Sequence, residues 1–186
     1  MYPTHPMLDL PSLWVQRFSP LISAGEVLDL ACGGGRHARL LAALGHPVLA
    51  VDCDPTALAR AAGPGIVTLQ ADLEAAGWPF GVDRFAGIVV TNYLHRPLMA
   101  DMVRSLAPDG VLIYETFGFG NGEFGKPSNP DFLLAPGELL EWAGSHDLRV
   151  VAFEDGRVAT PKAAMLQRLC AVKRDFPRAA ALLAPF

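Results

Sequence analysis

Glu26-Val-Leu-Asp-Leu-Ala-Cys-Gly-Gly-Gly-Arg-His-Ala-Arg-Leu-Leu-Ala42 is the stretch whose reading decides the fold. Val27, Leu28 and Leu30 make a short apolar run, Gly33 to Gly35 interrupt it, and Leu40, Leu41 and Leu44 then recur at helical spacing until Gly45. The pattern predicts strand, glycine turn, helix. Glycines in such a turn carry no Cβ to hold a ligand away. The first N–H groups of the helix have no intrahelical partner, so the turn favours an electron-rich group.

Working outward, the same alternation repeats. Pro47 to Asp52 reads as a second buried strand that ends on an acid, followed by a helix from Thr56 to Ala62, a stop at Gly63-Pro-Gly65 and a third strand, Ile66 to Gln70. Phe85 to Asn92 is the fourth strand, Leu98 to Leu106 a helix, and Pro108-Asp-Gly110 a turn into a fifth strand, Val111 to Thr116. A helix from Pro136 to Gly144 precedes Leu148 to Glu154 and Met165 to Lys173, an antiparallel pair about a turn at Asp155-Gly156; the tail, Asp175 to Phe186, reads as a short surface helix. Strands alternating with helices imply an α/β protein with a doubly wound, mostly parallel sheet covered on both faces, here closed by a C-terminal antiparallel hairpin. The glycine- and phenylalanine-rich segment from Phe117 to Phe132 has no helical or strand period, and a loop of this length is a candidate cover for a substrate. Residues 1–25 hold four prolines and one amphipathic piece, with Ser12 as its N-cap and Leu13, Trp14, Arg17 and Phe18 on one face. This piece either packs over the sheet or forms a lid on the glycine turn. The expected organisation is an N-terminal segment, 1–25, and a single domain, 26–186.

Composition narrows the function. The 186 residues are 51% hydrophobic, enough for one sizeable core, and the net charge of −4 gives no basic footprint for nucleic acid. No apolar run reaches the roughly 18 residues that span a bilayer, and no signal-peptide order opens the chain, so a cytoplasmic protein without a membrane partner is expected. Cys32, Cys53 and Cys170 are widely spaced, which predicts neither a disulfide framework nor a metal site.

The identity of the ligand is open to two readings. Gly33-x-Gly35-x-x-Ala38 with Asp52 further on matches the dinucleotide fingerprint and would suit a nicotinamide-dependent oxidoreductase. Against it, Asp29 would repel a pyrophosphate, Asp72 adds a second acid suited to an adenine amino group, and the chain ends in a hairpin instead of a second βαβαβ half. A ligand carrying ribose, adenine, ammonium and a positive sulfur suits these acids better.

Val27-Leu-Asp-Leu-Ala-Cys-Gly-Gly-Gly-Arg-His37 resembles the first motif of class I S-adenosylmethionine-dependent methyltransferases, and Val51-Asp52, Ala71-Asp72-Leu73 and Val89-Val-Thr-Asn92 resemble the three that follow. The nearest similarity is to the small-molecule group that includes tellurite-resistance-type methyltransferases. The resemblance implies a seven-stranded sheet of order 3-2-1-4-5-7-6, S-adenosyl-L-methionine as cofactor and a small-molecule substrate. It implies that Asp29 helps bind the methionine end, that Ala31, Gly33 and Gly35 admit it, and that Asp52 holds the ribose. Asp72 and Leu73 would meet the adenine, Asn92 and Tyr93 would lie near the sulfonium, and Cys32 and Cys53 would stand beside the cofactor as small buried fillers. A helix or turn cap is the alternative reading of Asp72. On the acceptor side, Tyr93, His95 and Glu115 are the catalytic candidates, with Arg96 beside them. Glu115 is expected at an exposed strand end, and Phe117, Phe119, Phe124 and Phe132, with Asn121, Glu123, Lys126 and Asn129, as the acceptor cover. A noncatalytic cofactor-binding protein is the remaining alternative.

Overall fold

The computed structural model describes residues 10–177. The surface helix expected for the tail falls mostly on 178–186, outside the described residues; Arg174 to Phe176 form a turn and bend. Seven strands form one sheet in the order β3-β2-β1-β4-β5-β7-β6, as the resemblance implied. β1 (Val27–Leu30), β2 (Val48–Asp52), β3 (Ile66–Gln70), β4 (Phe85–Thr91) and β5 (Leu106–Phe117) run parallel. β7 (Ala164–Lys173) is antiparallel to both β5 and β6 (Leu148–Val158).

Period-two alternation splits the sheet's side chains into two cores. Leu28, Leu30, Ile88, Val90, Leu112 and Tyr114 face one side, covered by α4 (Leu73–Ala76), α5 (Met99–Ser105) and α6 (Glu138–Ser145). Val27, Ala50, Val89, Val111 and Ile113 face the other, beneath α1 (Leu13–Phe18), α2 (Arg36–Ala43) and α3 (Pro55–Ala61). Ser12 caps α1 as expected, its hydroxyl accepting from the Trp14 N–H. Trp14, Val15 and Phe18 are buried, whereas Leu13 is 80% exposed and does not share their face. Trp14 Nε1 donates to the Leu169 carbonyl at 3.2 Å, which fastens α1 to β7.

Two turn assignments are corrected. Pro108-Asp-Gly110 does not precede the fifth strand but lies within it. Leu106 pairs with Phe85 and Val111 with Gly87, so residues 107–110 bulge out of register. Asp155-Gly156 does not turn. Both residues stay in the ladder, opposite Gln167 and Leu166, and Asp155 Oδ2 accepts from the Gly137 N–H. The hairpin therefore runs past the main sheet and turns at 159–163.

Candidate active site

The carboxyl ends of β1, β2 and β4 open into three adjoining cavities, and Asn92, the first residue past β4, lines all of them. Its φ of +56° lies in the left-handed region, where Asn is among the few side chains tolerated, and its N–H donates to the Glu115 carbonyl.

The first cavity, about 310 Å³, has apolar walls from Leu30, Val51, Ala71 and Leu73, with the carboxylates of Asp52, Asp72 and Glu74 at its edge. Asp52 Oδ2 accepts from the Gly33 N–H at 2.8 Å and Oδ1 from the Asp54 N–H at 2.9 Å. A carboxylate has about four acceptor directions, so capacity remains for a ligand's hydroxyls. The second cavity, about 370 Å³, lies over the glycine turn between Ala31, Gly33, Arg36 and Thr91. A Cβ on Gly33 would meet open space, so this glycine borders the cavity itself. The third, about 290 Å³, lies between α1, the end of β5, the loop after it and the β6–β7 hairpin.

Residues 27–110 match the family model of a methyltransferase domain. A Mycobacterium tuberculosis protein named as a probable S-adenosylmethionine-dependent methyltransferase is 32% identical over 125 residues, covering 61% of this chain and 46% of that one. The chain thus spans about half the length of this curated relative. Among solved structures, TehB from Haemophilus influenzae superposes with a TM-score of 0.68 at 21% identity, covering 86% of this chain and 61% of its own. The 1,6-didemethyltoxoflavin-N1-methyltransferase of Burkholderia thailandensis, solved with 1,6-didemethyltoxoflavin and S-adenosylhomocysteine bound, gives 0.65 at 20% identity, covering 90% and 79%. The sheet order and these likenesses show the class I methyltransferase fold, and residues 27–110 are similar to a methyltransferase domain.

Around the three cavities the expected cofactor contacts divide into those that reach the cavities and those that build them. Ala31, Asp52, Cys53, Asp72, Leu73, Asn92 and Tyr93 line the first cavity, and Ala31, Cys32, Gly33 and Asn92 the second. Cys53 is exposed and not a buried filler; Cys32 is buried, and desolvation, then the nearby Asp29 and Asp52 carboxylates, push its thiol up to about 12. Asp72 borders the first cavity, and its Oδ1 also caps α4 through the Glu74 and Ala75 N–H groups. Gly35 is explained by packing, because a Cβ there would stand 2.5 Å from that of Ala61 on α3.

Asp29 lies behind the turn and borders none of the three cavities. Its Oδ2 accepts from the Ala38 N–H at 2.8 Å, and its Oδ1 is buried without a hydrogen-bond partner among the described residues. Desolvation raises its pKa from 3.8 to about 7, against the Ala38 hydrogen bond and the Arg36 charge.

Of the catalytic candidates, Glu115 alone lines the third cavity, and it is not at an exposed strand end: it is 6% exposed, and Arg168 Nε donates to its Oε2 at 2.6 Å. Tyr93 faces the first cavity, where burial and then the Glu74 carboxylate hold its phenol above the ordinary range. His95 borders none of the three; its Nδ1 is 3.8 Å from Glu74 Oε2. Arg96 clamps the later loop by donating to Glu138 and to the carbonyls of Asp131 and Leu133. In the cover, Phe117, Phe124 and Lys126 reach the third cavity, whereas Phe119 and Phe132 are exposed and Asn129 caps the short 3-10 turn Pro130–Phe132. Asn121 lines that cavity too, yet it is 1% exposed and anchors the loop, accepting from the Met165 N–H and donating to the Pro127 carbonyl.

Sequence reasoning missed His37, Lys162 and Arg168. His37 is buried; its Nε2 accepts from the Ser12 N–H, which puts the imidazole proton on Nδ1, facing Thr91 Oγ1 at 3.3 Å. The one signal was its spacing: His37 is four residues before Leu41 and so shares the buried face of α2. Lys162 was hidden by the misplaced hairpin turn, and Arg168, inside the strand read from Met165 to Lys173, by the 53 residues that separate it from Glu115.

Proposed function

We propose that this protein transfers a methyl group from S-adenosylmethionine to a small-molecule acceptor. The observation that carries the reading is the convergence of the three cavities on Asn92. One has the shape and carboxylates suited to adenosine, one borders an open glycine turn suited to the methionine end, and one stands across Asn92 from both. The residues present fit the cofactor: apolar walls can enclose a purine, Asp52 retains acceptor capacity for ribose hydroxyls, and a Cβ at Gly33 would enter the second cavity. A 1,6-didemethyltoxoflavin-N1-methyltransferase with the same fold supports a small-molecule acceptor.

The bound cofactor supplies an electrophilic methyl group on a positively charged sulfur. The chain's residues then act chiefly by placement, which brings the acceptor's nucleophile into line and relieves part of the entropic barrier. Glu115, its charge oriented by Arg168, faces the acceptor cavity and accepts a hydrogen bond from the nucleophilic group. Tyr93 belongs to the cofactor side of the site.

Calorimetry with S-adenosylhomocysteine and NADH tests the reading. S-Adenosylhomocysteine is expected to bind and NADH not to. Asp52→Asn is expected to weaken the first by about 10- to 100-fold, the range for loss of a charge-assisted hydrogen bond. Binding of NADH alone would overturn it.

A further inference from the structure

From the charges around the third cavity we infer that the acceptor is an anionic amphiphile: an apolar body that presents its nucleophile to Asn92 and Glu115, and a carboxylate or phosphate head held by Lys126 and Lys162. This rests on the methyl-transfer reading and names the substrate class for the same site.

The cavity wall holds one carboxylate, Glu115, and that one is already matched by Arg168 at 2.6 Å. Arg168 is matched a second time by Glu154 at 3.0 Å. Besides Arg168 and Arg36, the wall carries two further cations, Lys126 and Lys162. Lys126, from the loop after β5, and Lys162, from the β6–β7 hairpin, reach the cavity from different segments. Among the described residues neither has a carboxylate within 4.0 Å. The hairpin brings Lys162 across to the loop: its Nζ stands 3.0 Å from where a Cβ on Gly125, the residue before Lys126, would be.

Two ammonium groups drawn towards one opening repel each other, and an anion between them removes that cost. The net charge of the chain is −4, so this local excess runs against the overall balance and is not an expression of it. Much of the remaining wall is apolar, with Leu13, Phe117, Phe124 and Leu166. A cavity of about 290 Å³ is at the small end for metabolite sites, which limits the body to roughly the size of one substituted ring.

The experiment uses the full chain saturated with S-adenosylhomocysteine and three probes: 3-phenylpropionate, its methyl ester and 3-phenylpropyl phosphate. Calorimetry at low and high salt is expected to show at least one anion binding ten-fold or more tighter than the ester, with only the anion weakened by salt. Preference between the two anions identifies the head as carboxylate or phosphate. In Lys126→Gln/Lys162→Gln the preference over the ester is expected to vanish with S-adenosylhomocysteine affinity unchanged, and in Lys126→Arg/Lys162→Arg to return. Equal binding of acid and ester, no binding of either anion, or a preference that survives the double glutamine variant overturns the proposal. Failure of S-adenosylhomocysteine itself to bind is a different result and overturns the methyl-transfer reading.

Discussion

Ala31 holds φ at +52°, a region in which an L side chain is strained. Ala31→Gly is expected to leave stability unchanged or raise it by up to about 1 kcal/mol in urea unfolding, whereas alanine-to-glycine elsewhere costs about that much. Gly35→Ala is expected to act oppositely, costing about 3 kcal/mol, because the new Cβ meets α3 backbone at 2.6 Å. Two buried titratable groups near the glycine turn oppose one another. Asp29, raised from 3.8 to about 7, keeps its proton in the folded chain where the unfolded chain has lost it, so its contribution falls as pH rises from about 4 to about 7. His37, lowered from 6.5 to about 3, chiefly by burial, stays neutral in the folded chain where the unfolded chain binds a proton, so its contribution rises over about pH 3 to 6.5. Asp29→Asn is therefore expected to make the slope of stability against pH more positive between pH 4 and 6.5, and His37→Asn to make it more negative. Thermal unfolding of the ligand-free variants across that range checks both slopes.

At the scale of the element, the loop after β5 depends on one side chain. Asn121 joins the loop's interior to β7 through two hydrogen bonds, and its replacement by alanine leaves the Met165 N–H and the Pro127 carbonyl without those partners. Asn121→Ala is expected to reduce methyl transfer at least ten-fold while S-adenosylhomocysteine still binds, since the loop borders the acceptor cavity and not the other two. Elements with a strong period were legible in the sequence. The strand from Ile66 to Gln70 and the glycine turn were read where they occur, because apolar runs bounded by glycine and proline leave few alternatives. Asp155-Gly156 misled because its turn chemistry is local, and long-range pairing with β7 prevails over it. Glu115 misled similarly: its partner Arg168 is 53 residues away, and no local pattern announces an ion pair closed across two strands. The residues lining the first two cavities were legible because most stand in short motifs at the ends of apolar strand runs. The third cavity is assembled from five distant segments, and most of its lining was not.

Across the whole molecule, burial is uneven. β1 and β4 are buried throughout, whereas β3 is an edge with Val67 66% exposed. Native-state hydrogen exchange is expected to be slowest in β1 and β4 and fastest among the strands in β3; uniform protection would contradict this. Among the described residues no helix is long and apolar enough to cross a membrane. The hairpin that continues beyond the sheet has a consequence for how such a protein diversifies. Its tip at 159–163 can change in length or charge without disturbing the strand ends beneath the glycine turn. Selection can therefore exchange one acceptor for another by editing a single surface protrusion, with the inherited cofactor seat left as it was.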